Sequence, residues 1–302
     1  MQVPARATIE LVEPLLRGAR KEDRWVSLAR FARRYPLGAA GGVCLLLVIF
    51  VAVFAGQLSP YDPLAQAIPN RLTPPGSVFW LGTDNLGRDV FSRITFGART
   101  SLYVGFVSVA LGTITGTLLG VTSGYLRGPF DLAVQRLVDT LMGFPALVLA
   151  LTLVVALGSS MNNVCFAIAM TIAPRITRVA RSSTLSIREE LYVTGAKAIG
   201  CSTARIILRH IIPNALAPIF ILATGGLGSA IIAEASLSFL GLGVPPPTPS
   251  WGGMIQLGAR GYLESSPWLA TFPGIVLSVV VFSFSLLGDA MRDALDPRLR
   301  GR

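Results

Sequence analysis

Residues 105–124 read GFVSVALGTITGTLLGVTSG, a run that contains no charged residue. Its length matches the roughly 20 residues that a helix needs to cross the hydrocarbon core of a bilayer. The glycines recur at every fourth position and therefore share one helical face, which lets another helix approach closely. These glycines are Gly112, Gly116, Gly120 and Gly124. The stretch predicts a transmembrane helix that packs tightly on a neighbour, either within the same bundle or in another subunit.

The rest of the chain has the same character. Of its 302 residues, 52% are hydrophobic and only 14% are charged, whereas soluble domains carry roughly 25% charged residues. The apolar residues gather into stretches of spanning length, so we expect an all-α integral membrane protein with six transmembrane helices. The predicted spans are about 37–57, 101–125, 132–157, 161–180, 215–243 and 268–289. The fourth is the weakest, because Pro174 and Arg175 lie near its end.

Charge predicts the orientation of these spans. Of the 26 Lys and Arg residues, 21 lie in the segments on the N-terminal side of the membrane and 5 on the other side. The positive-inside rule then places both termini in the cytoplasm. The resulting divisions are a cytoplasmic tail (1–36), a first transmembrane helix (37–57), an extracytoplasmic segment (58–100), a core membrane domain (101–292) and a C-terminal cytoplasmic tail (293–302).

Several classes of function are disfavoured. The net charge of +10 comes from residues between apolar stretches and not from one basic face, so we expect no nucleic-acid partner. The chain lacks a phosphate-binding G-x-x-x-x-G-K-[ST] loop, a H-E-x-x-H motif and a paired-cysteine metal site. Its single histidine, His210, lies in a polar loop. We therefore expect neither an enzyme nor a metal site.

Two outer segments are too long to be simple turns. Residues 58–100 and 244–267 both contain prolines and tryptophan, including Trp80 and Trp251. This composition suits rigid structure at the membrane interface. Such structure would either cap the bundle or form a docking surface for an external partner.

The inner loop 183–214 reads STLSIREELYVTGAKAIGCSTARIILRHIIPN. Ser186 and Glu189 have the spacing of a capping box that opens a helix, and Gly200 is placed to end it. A second short helix is expected from about Ser202 to Ile212, where Pro213 stops or kinks it. A basic amphipathic helix pair of this kind either lies along lipid headgroups or seats in a partner's groove.

This loop resembles the E-A-A-x-x-x-G-x9-I-x-L-P coupling loop of permeases in ATP-binding-cassette importers. The aligned residues are Thr194-Gly195-Ala196, Gly200 and Ile212-Pro213, and their spacing is that of the motif. Three residue types differ: Thr194 replaces Glu, Gly195 replaces Ala and His210 replaces Ile, while Ile212 is a mild change for Leu. Four further stretches resemble the dipeptide, oligopeptide and nickel permease family, and the match is closest to the second permease of such systems. They are PYDP (60–63), LGTDNLGRDVFSRITFGARTSL (81–102), EASLSFLGLGVPPPTPSWGGM (234–254) and LLGDAMRDALDPRLR (286–300).

The resemblance implies a type I importer permease fold in the inner membrane of a bacterium. It implies a homologous second permease, two ATPase subunits that bind ATP and magnesium, and an extracytoplasmic binding protein, with no cofactor in this chain. Peptides are the expected substrate; nickel or another small solute, or a stand-alone secondary transporter, are the alternatives. The implied ATPase-coupling residues are Glu190, Thr194, Gly195, Ala196, Gly200 and Pro213.

A second set of residues is a candidate for the pathway or a subunit interface. Ionisable groups within spans are costly in lipid and usually face a cavity or a partner. Among the ionisable residues of the predicted spans, Glu234 lies deepest, in the outer half of the fifth span. We therefore expect it to face the pathway or the other permease. The glycine face of the second span, Gly112, Gly116 and Gly120, joins this set.

Overall fold

A computed structural model describes residues 31–295. Within that range the chain is all-helical and contains no β-strand. The predicted tails, 1–36 and 293–302, lie almost entirely outside the described residues. The helices are α1 (Pro36–Val53), α2 (Ala55–Leu58), α3 (Val90–Leu126), α4 (Gly128–Met142), α5 (Ala146–Leu157), α6 (Met161–Ile187), α7 (Leu191–Ala198), α8 (Thr203–Ile206), α9 (Ile212–Phe239), α10 (Trp251–Ala259) and α11 (Trp268–Leu295).

Among the described residues, four helical segments are long and apolar enough to cross a membrane. They are α1, α3, the continuous segment from Thr203 to Phe239 that includes α8 and α9, and α11. The pair α4 and α5 would supply a fifth if it counts as one broken span. Helix α6 has 27 residues but is more polar than these segments.

The predicted third span, 132–157, is not one straight helix. It is divided between α4 and α5, which meet at an angle of 97°. The break falls at Gly143, Phe144 and Pro145. Proline disfavours the helical conformation of the residue before it and supplies no backbone N–H to continue the ladder. The apolar pattern continues through this break, which is why the sequence alone suggests a single helix.

The predicted second span begins too late. Helix α3 starts at Val90 rather than at 101 and runs for 37 residues. Its N-cap is Asp89, whose carboxylate accepts hydrogen bonds from the backbone N–H of Ser92 at 2.8 Å and from the Ser92 hydroxyl at 2.7 Å. The last part of the predicted extracytoplasmic segment is therefore the first part of α3.

The glycine face of α3 packs against α6 of the same chain. A Cβ atom at Gly112 would lie 2.9 Å from the carbonyl oxygen of Ala169, and one at Gly116 would lie 2.7 Å from that of Ala173. Gly120 meets the carbonyl of Thr177 at even closer range. The prediction of close helix packing is confirmed. The alternative that these glycines contact another subunit is wrong, because α6 already covers them.

One end of α3 carries the segment between α2 and α3 together with α10. Asp84, which is only 2% exposed, accepts hydrogen bonds from the backbone N–H and the Nε of Arg88, at 3.0 and 2.6 Å. The indole of Trp268 donates to the Thr83 carbonyl at 3.3 Å, and that of Trp251 donates to the Ile94 carbonyl at 3.1 Å. Trp251 is fully buried, so it anchors α10 to α3.

Candidate ATPase-docking site

Helix α7 lies at the opposite end of α3, in the turn between α6 and α8. The predicted capping box of Ser186 and Glu189 is wrong, because Ser186 is still inside α6, which ends at Ile187. Helix α7 begins at Leu191 with Glu190 as its N-cap, and the Glu190 side chain makes no capping hydrogen bond. Residues 183–187 continue helix α6. The continuation of this long helix outweighs the local capping pattern.

Gly200 ends α7 as predicted. Its φ is +82°, a left-handed conformation that glycine adopts without the steric cost of a Cβ. The N–H of Cys201 donates to the Ala196 carbonyl and the N–H of Gly200 donates to the Lys197 carbonyl, both at 3.0 Å. This pair of bonds is the Schellman motif, and it turns the chain directly into α8.

The inner face of α7 is part of the chain's own core. Val193 and Ala196 are 0% and 8% exposed and join a buried cluster that includes Val121 of α3, Ile206 of α8 and Ile211. The resemblance implied that Ala196 is one of the ATPase-coupling residues. The structure places its methyl group against the bundle.

Tyr125, near the end of α3, holds both sides of the turn. Its backbone carbonyl accepts a hydrogen bond of 2.8 Å from Arg188. Its ring lies beneath two cations, with the Arg188 guanidinium at 5.7 Å and the Lys197 ammonium at 5.3 Å from the ring centroid. Each such contact adds about 0.5–1 kcal/mol at an exposed site. Arg127 and Glu189 add an exposed ion pair of 2.9 Å nearby. These contacts attach α7 and the turn before it to the end of α3.

The outer face of α7 is exposed and apolar. We call the residues Leu191, Tyr192, Thr194, Gly195 and Ile199 the α7 surface; all are exposed. Leu191 is 88% exposed and Ile199 is 82% exposed. A Cβ at Gly195 would meet no atom within 4 Å. An exposed apolar helix face of this kind suits a partner's groove or the lipid headgroup region.

Pro213 does not end the helix that precedes the fifth span. A π-helical turn, Ile207–Ile211, links α8 to α9, and Pro213 occupies the first turn of α9. The N–H of Ile212 bonds to the carbonyl of Ile207, one residue farther back than in an α-helix. Proline is tolerated in a first turn, where its missing N–H would lack an intrahelical partner anyway. Helix α8, which follows the turn at Gly200, is therefore continuous with the long helix α9.

Two ion pairs join α4 to α6, and the sequence pattern did not reveal either one. Arg181 contacts Asp131 through two hydrogen bonds of 2.6 Å, and the Asp131 side chain is only 10% exposed. Arg178 contacts Asp139 at 2.7 Å, but both of these side chains are more than half exposed. The partners are 50 and 39 residues apart in sequence, beyond the reach of any helical spacing rule.

Glu234 does not lie on an open surface of this chain. Glu234 belongs to α9, and its side chain is fully buried against α3. The hydroxyl of Ser101 donates to one carboxylate oxygen at 3.0 Å, and that of Ser238 donates to the other at 2.8 Å. The prediction that it faces the pathway or another permease is corrected on this evidence: the two serine hydroxyls satisfy the carboxylate inside the bundle, where α10 also packs. No cluster of metal-ligating side chains occurs in the part of the chain that the structure describes.

Comparison with known families and sequences identifies the chain's relatives. Residues 116–301 match the binding-protein-dependent transport system inner membrane component family, and residues 25–75 match the N-terminal transmembrane domain of oligopeptide transport permease C. The dipeptide transport system permease protein DppC of Alkalihalophilus pseudofirmus is 41% identical over 276 residues, which cover 91% of this chain and 90% of that protein. The glutathione transport system permease protein GsiD of Pectobacterium atrosepticum is 40% identical and covers 95% of each chain.

Among solved structures, a chain of the inward-facing MetNI methionine ABC transporter shares the fold. The TM-score is 0.54 at 20% sequence identity, and the match covers 68% of this chain and 96% of that one. The similarity confirms the general architecture of an importer permease. With 186 residues matched by one family model and relatives at about 40% identity along nearly its whole length, the chain belongs to the inner membrane components of binding-protein-dependent transport systems and is a multi-pass permease of the ABC importer type.

Proposed function

We propose that this chain forms, with a homologous second permease, the membrane pathway of a peptide importer that two separate ATPase subunits drive. An extracytoplasmic binding protein delivers the substrate. The observation that carries this proposal is the α7 surface, an exposed apolar helix fixed to the ends of two long helices. ATP and magnesium belong to the ATPase subunits, because this sequence has no phosphate-binding loop of its own.

The proposed topology has six crossings with both termini in the cytoplasm. Helices α1, α3, α6, α9 and α11 each cross once, and α4 and α5 together supply the sixth crossing as one broken span. Helix α4 enters obliquely from the cytoplasmic side, which agrees with its 97° angle to α5 and with its ion pairs to α6. The basic residues Arg127, Arg181, Arg188 and Lys197 gather at the α7 end of the bundle, in agreement with the positive-inside rule.

The coupling residues take distinct roles in this proposal. Thr194 and Gly195 belong to the surface that enters a groove of the ATPase. Glu190 begins α7 and Gly200 ends it, so the two set its length and direction. Ala196 contacts the core and transmits movement inward. Pro213 begins the spanning helix that this movement would displace.

Peptides are the proposed substrate because the relatives carry names that specify dipeptide, peptide and glutathione transport. The outer cap, formed by the segment before α3 and by α10, is the proposed contact for the binding protein. It is held by buried hydrogen bonds, including those of Asp84 and Trp251, so it presents a pre-formed surface. Rigid surfaces lose little conformational entropy on binding.

The test is purification of the tagged chain from its native membrane in a mild detergent, followed by mass spectrometry and reconstitution. The expected result is recovery of a second permease and ATPase subunits, with uptake of a labelled dipeptide into vesicles that requires both ATP and the binding protein. A chain that purifies alone and transports without ATP would contradict the proposal.

A further inference from the structure

The second half of α6 has an uncovered face composed of polar residues. Thr171, Arg175, Arg178 and Ser182 follow the helical spacing of i, i+4, i+7 and i+11, and we call them the polar stripe. The last three are exposed and Thr171 is half-buried. The residues between them, such as Ala173 and Ile176, are buried against the glycine face of α3.

Lipid does not suit such a face. The uncovered residues of α1 show what a lipid-facing helix presents: Leu37, Leu46 and Leu47 are 60–68% exposed, and all are apolar. Ionisable residues in spans almost always face a water-filled cavity or a partner. The polar stripe therefore faces water or another protein surface.

The position of Arg175 along α6 supports this requirement. It lies 14 residues beyond Met161, the first residue of α6. At about 1.5 Å per residue, the separation along the helix axis is roughly 21 Å, and the hydrocarbon core is roughly 30 Å thick. If α6 enters the hydrocarbon core near its start, Arg175 lies within it.

Arg175 also lacks a countercharge within the described part of the chain. Its neighbour on the stripe, Arg178, is neutralised by Asp139 at 2.7 Å. Between residues 31 and 295, no ion pair involves Arg175. Among these residues the stripe thus carries one uncompensated guanidinium, with Thr171 one helical turn away.

We propose that the polar stripe lines the translocation pathway and that Arg175 binds the carboxylate of the peptide in transit. This inference rests on the proposed function. Every free peptide carries a C-terminal carboxylate at neutral pH, and the planar guanidinium matches that group with two parallel N–H···O hydrogen bonds. Binding at a single exposed charge is weak enough for the substrate to leave again.

A cysteine reporter beside Arg175 tests this assignment without removing the charge. The native Cys44, Cys165 and Cys201, which are free thiols, are first replaced by alanine. Thr171→Cys is then introduced and the whole complex is placed in lipid nanodiscs, where both faces are accessible. The rate of labelling by a charged, water-soluble methanethiosulfonate reagent is measured with a dipeptide, with the same dipeptide amidated at its C-terminus, and without either.

We expect the thiol introduced by Thr171→Cys to be labelled, and the dipeptide at about ten times its Kd to slow labelling roughly tenfold, because the rate follows the unoccupied fraction. The amidated dipeptide should protect far less. Adding Arg175→Gln should abolish the protection, while Arg175→Lys should retain part of it. Arg136→Gln, a change at an exposed arginine of α4 outside the stripe, should leave protection unchanged.

Three results would overturn the inference. They are a Thr171→Cys reporter that no reagent reaches, equal protection by the acid and the amide, and protection that survives Arg175→Gln. If Arg175 instead held a lipid phosphate, labelling would change with the fraction of anionic lipid and not with the peptide. Copurification of the ATPases and ATP-dependent uptake, measured on the same preparation, separate a failure of this assignment from a failure of the proposed function.

Discussion

Arg181 donates two hydrogen bonds of 2.6 Å to the carboxylate of Asp131 and so joins α6 to α4. The Asp131 side chain is 10% exposed and that of Arg181 is 31% exposed, so water screens the pair only partly. The contact fixes the first turn of α4 beside α6. Its two-point geometry is one that guanidinium provides and ammonium does not.

Arg181→Lys should therefore destabilise the protein although it preserves the charge. We expect the free energy of unfolding to fall by about 1–2 kcal/mol, because one of two charge-assisted hydrogen bonds is lost. The measurement is the midpoint of thermal unfolding in detergent. The matched control is Arg178→Lys, whose pair with Asp139 is more than half exposed on both sides and should change by less than about 0.5 kcal/mol. Equal shifts in the two variants would contradict the importance of the bidentate geometry.

Gly116→Ala should destabilise the packing of α3 on α6. The added Cβ would lie 2.7 Å from the Ala173 carbonyl oxygen and 2.8 Å from the Ile176 Cβ, so the helices must separate. Overpacking of this kind costs about 1–3 kcal/mol. The thermal midpoint should fall accordingly.

Gly226→Ala is the control for that substitution. This position in α9 offers no atom within 4 Å of an added Cβ. Alanine favours a helix interior by about 0.8–1 kcal/mol over glycine, so this variant should be neutral or slightly more stable. A similar loss of stability at both positions would contradict the importance of the α3–α6 contact, because helix propensity favours alanine at both.

These glycines also show what the sequence could and could not predict. Their spacing alone predicts a close helix contact, since small residues leave a visible pattern along one helix. The identity of the neighbour, α6, depends on the tertiary arrangement and remained open. Glu234 shows the same limit. Its depth in a span was evident, but one of the two hydroxyls that satisfy its carboxylate belongs to Ser101, 133 residues away in sequence, and the other to Ser238.

Helix boundaries were harder to predict than helix existence. The break at Pro145 has no effect on hydropathy, so 132–157 resembles one span although α4 and α5 meet at 97°. At Pro213 the sequence predicted that a helix stops or kinks, but a π-helical turn before this proline lets the helix continue. Both outcomes depend on how neighbouring helices pack, which local propensity does not encode.

Gly200→Val should impair transport through the backbone and not through a clash. No atom lies within 4 Å of an added Cβ, but φ is +82°, where a β-branched residue is strained. We expect the Schellman turn to be destabilised by about 1–2 kcal/mol and ATP-dependent uptake to fall. Gly200→Asn should retain more activity, because asparagine tolerates this conformation. Uptake by both variants at the wild-type rate would show that the turn is not required.

Leu191→Asp should separate docking from folding. Leu191 is 88% exposed, so a carboxylate there costs the isolated chain almost nothing, and the thermal midpoint should not change. If the α7 surface enters an ATPase groove, the same carboxylate must be desolvated, and ATPase affinity should fall at least roughly tenfold, about 1.4 kcal/mol.

Copurification of the ATPase with the tagged chain measures this loss. Leu263→Asp, at a residue 59% exposed near the opposite end of the bundle, is the control and should leave copurification intact. Loss of the ATPase in Leu191→Asp but not in Leu263→Asp would place the contact at α7. Full recovery of the ATPase with Leu191→Asp would mean that the motor contacts another part of the chain, because no interface that buries this side chain tolerates an unpaired carboxylate without loss of affinity.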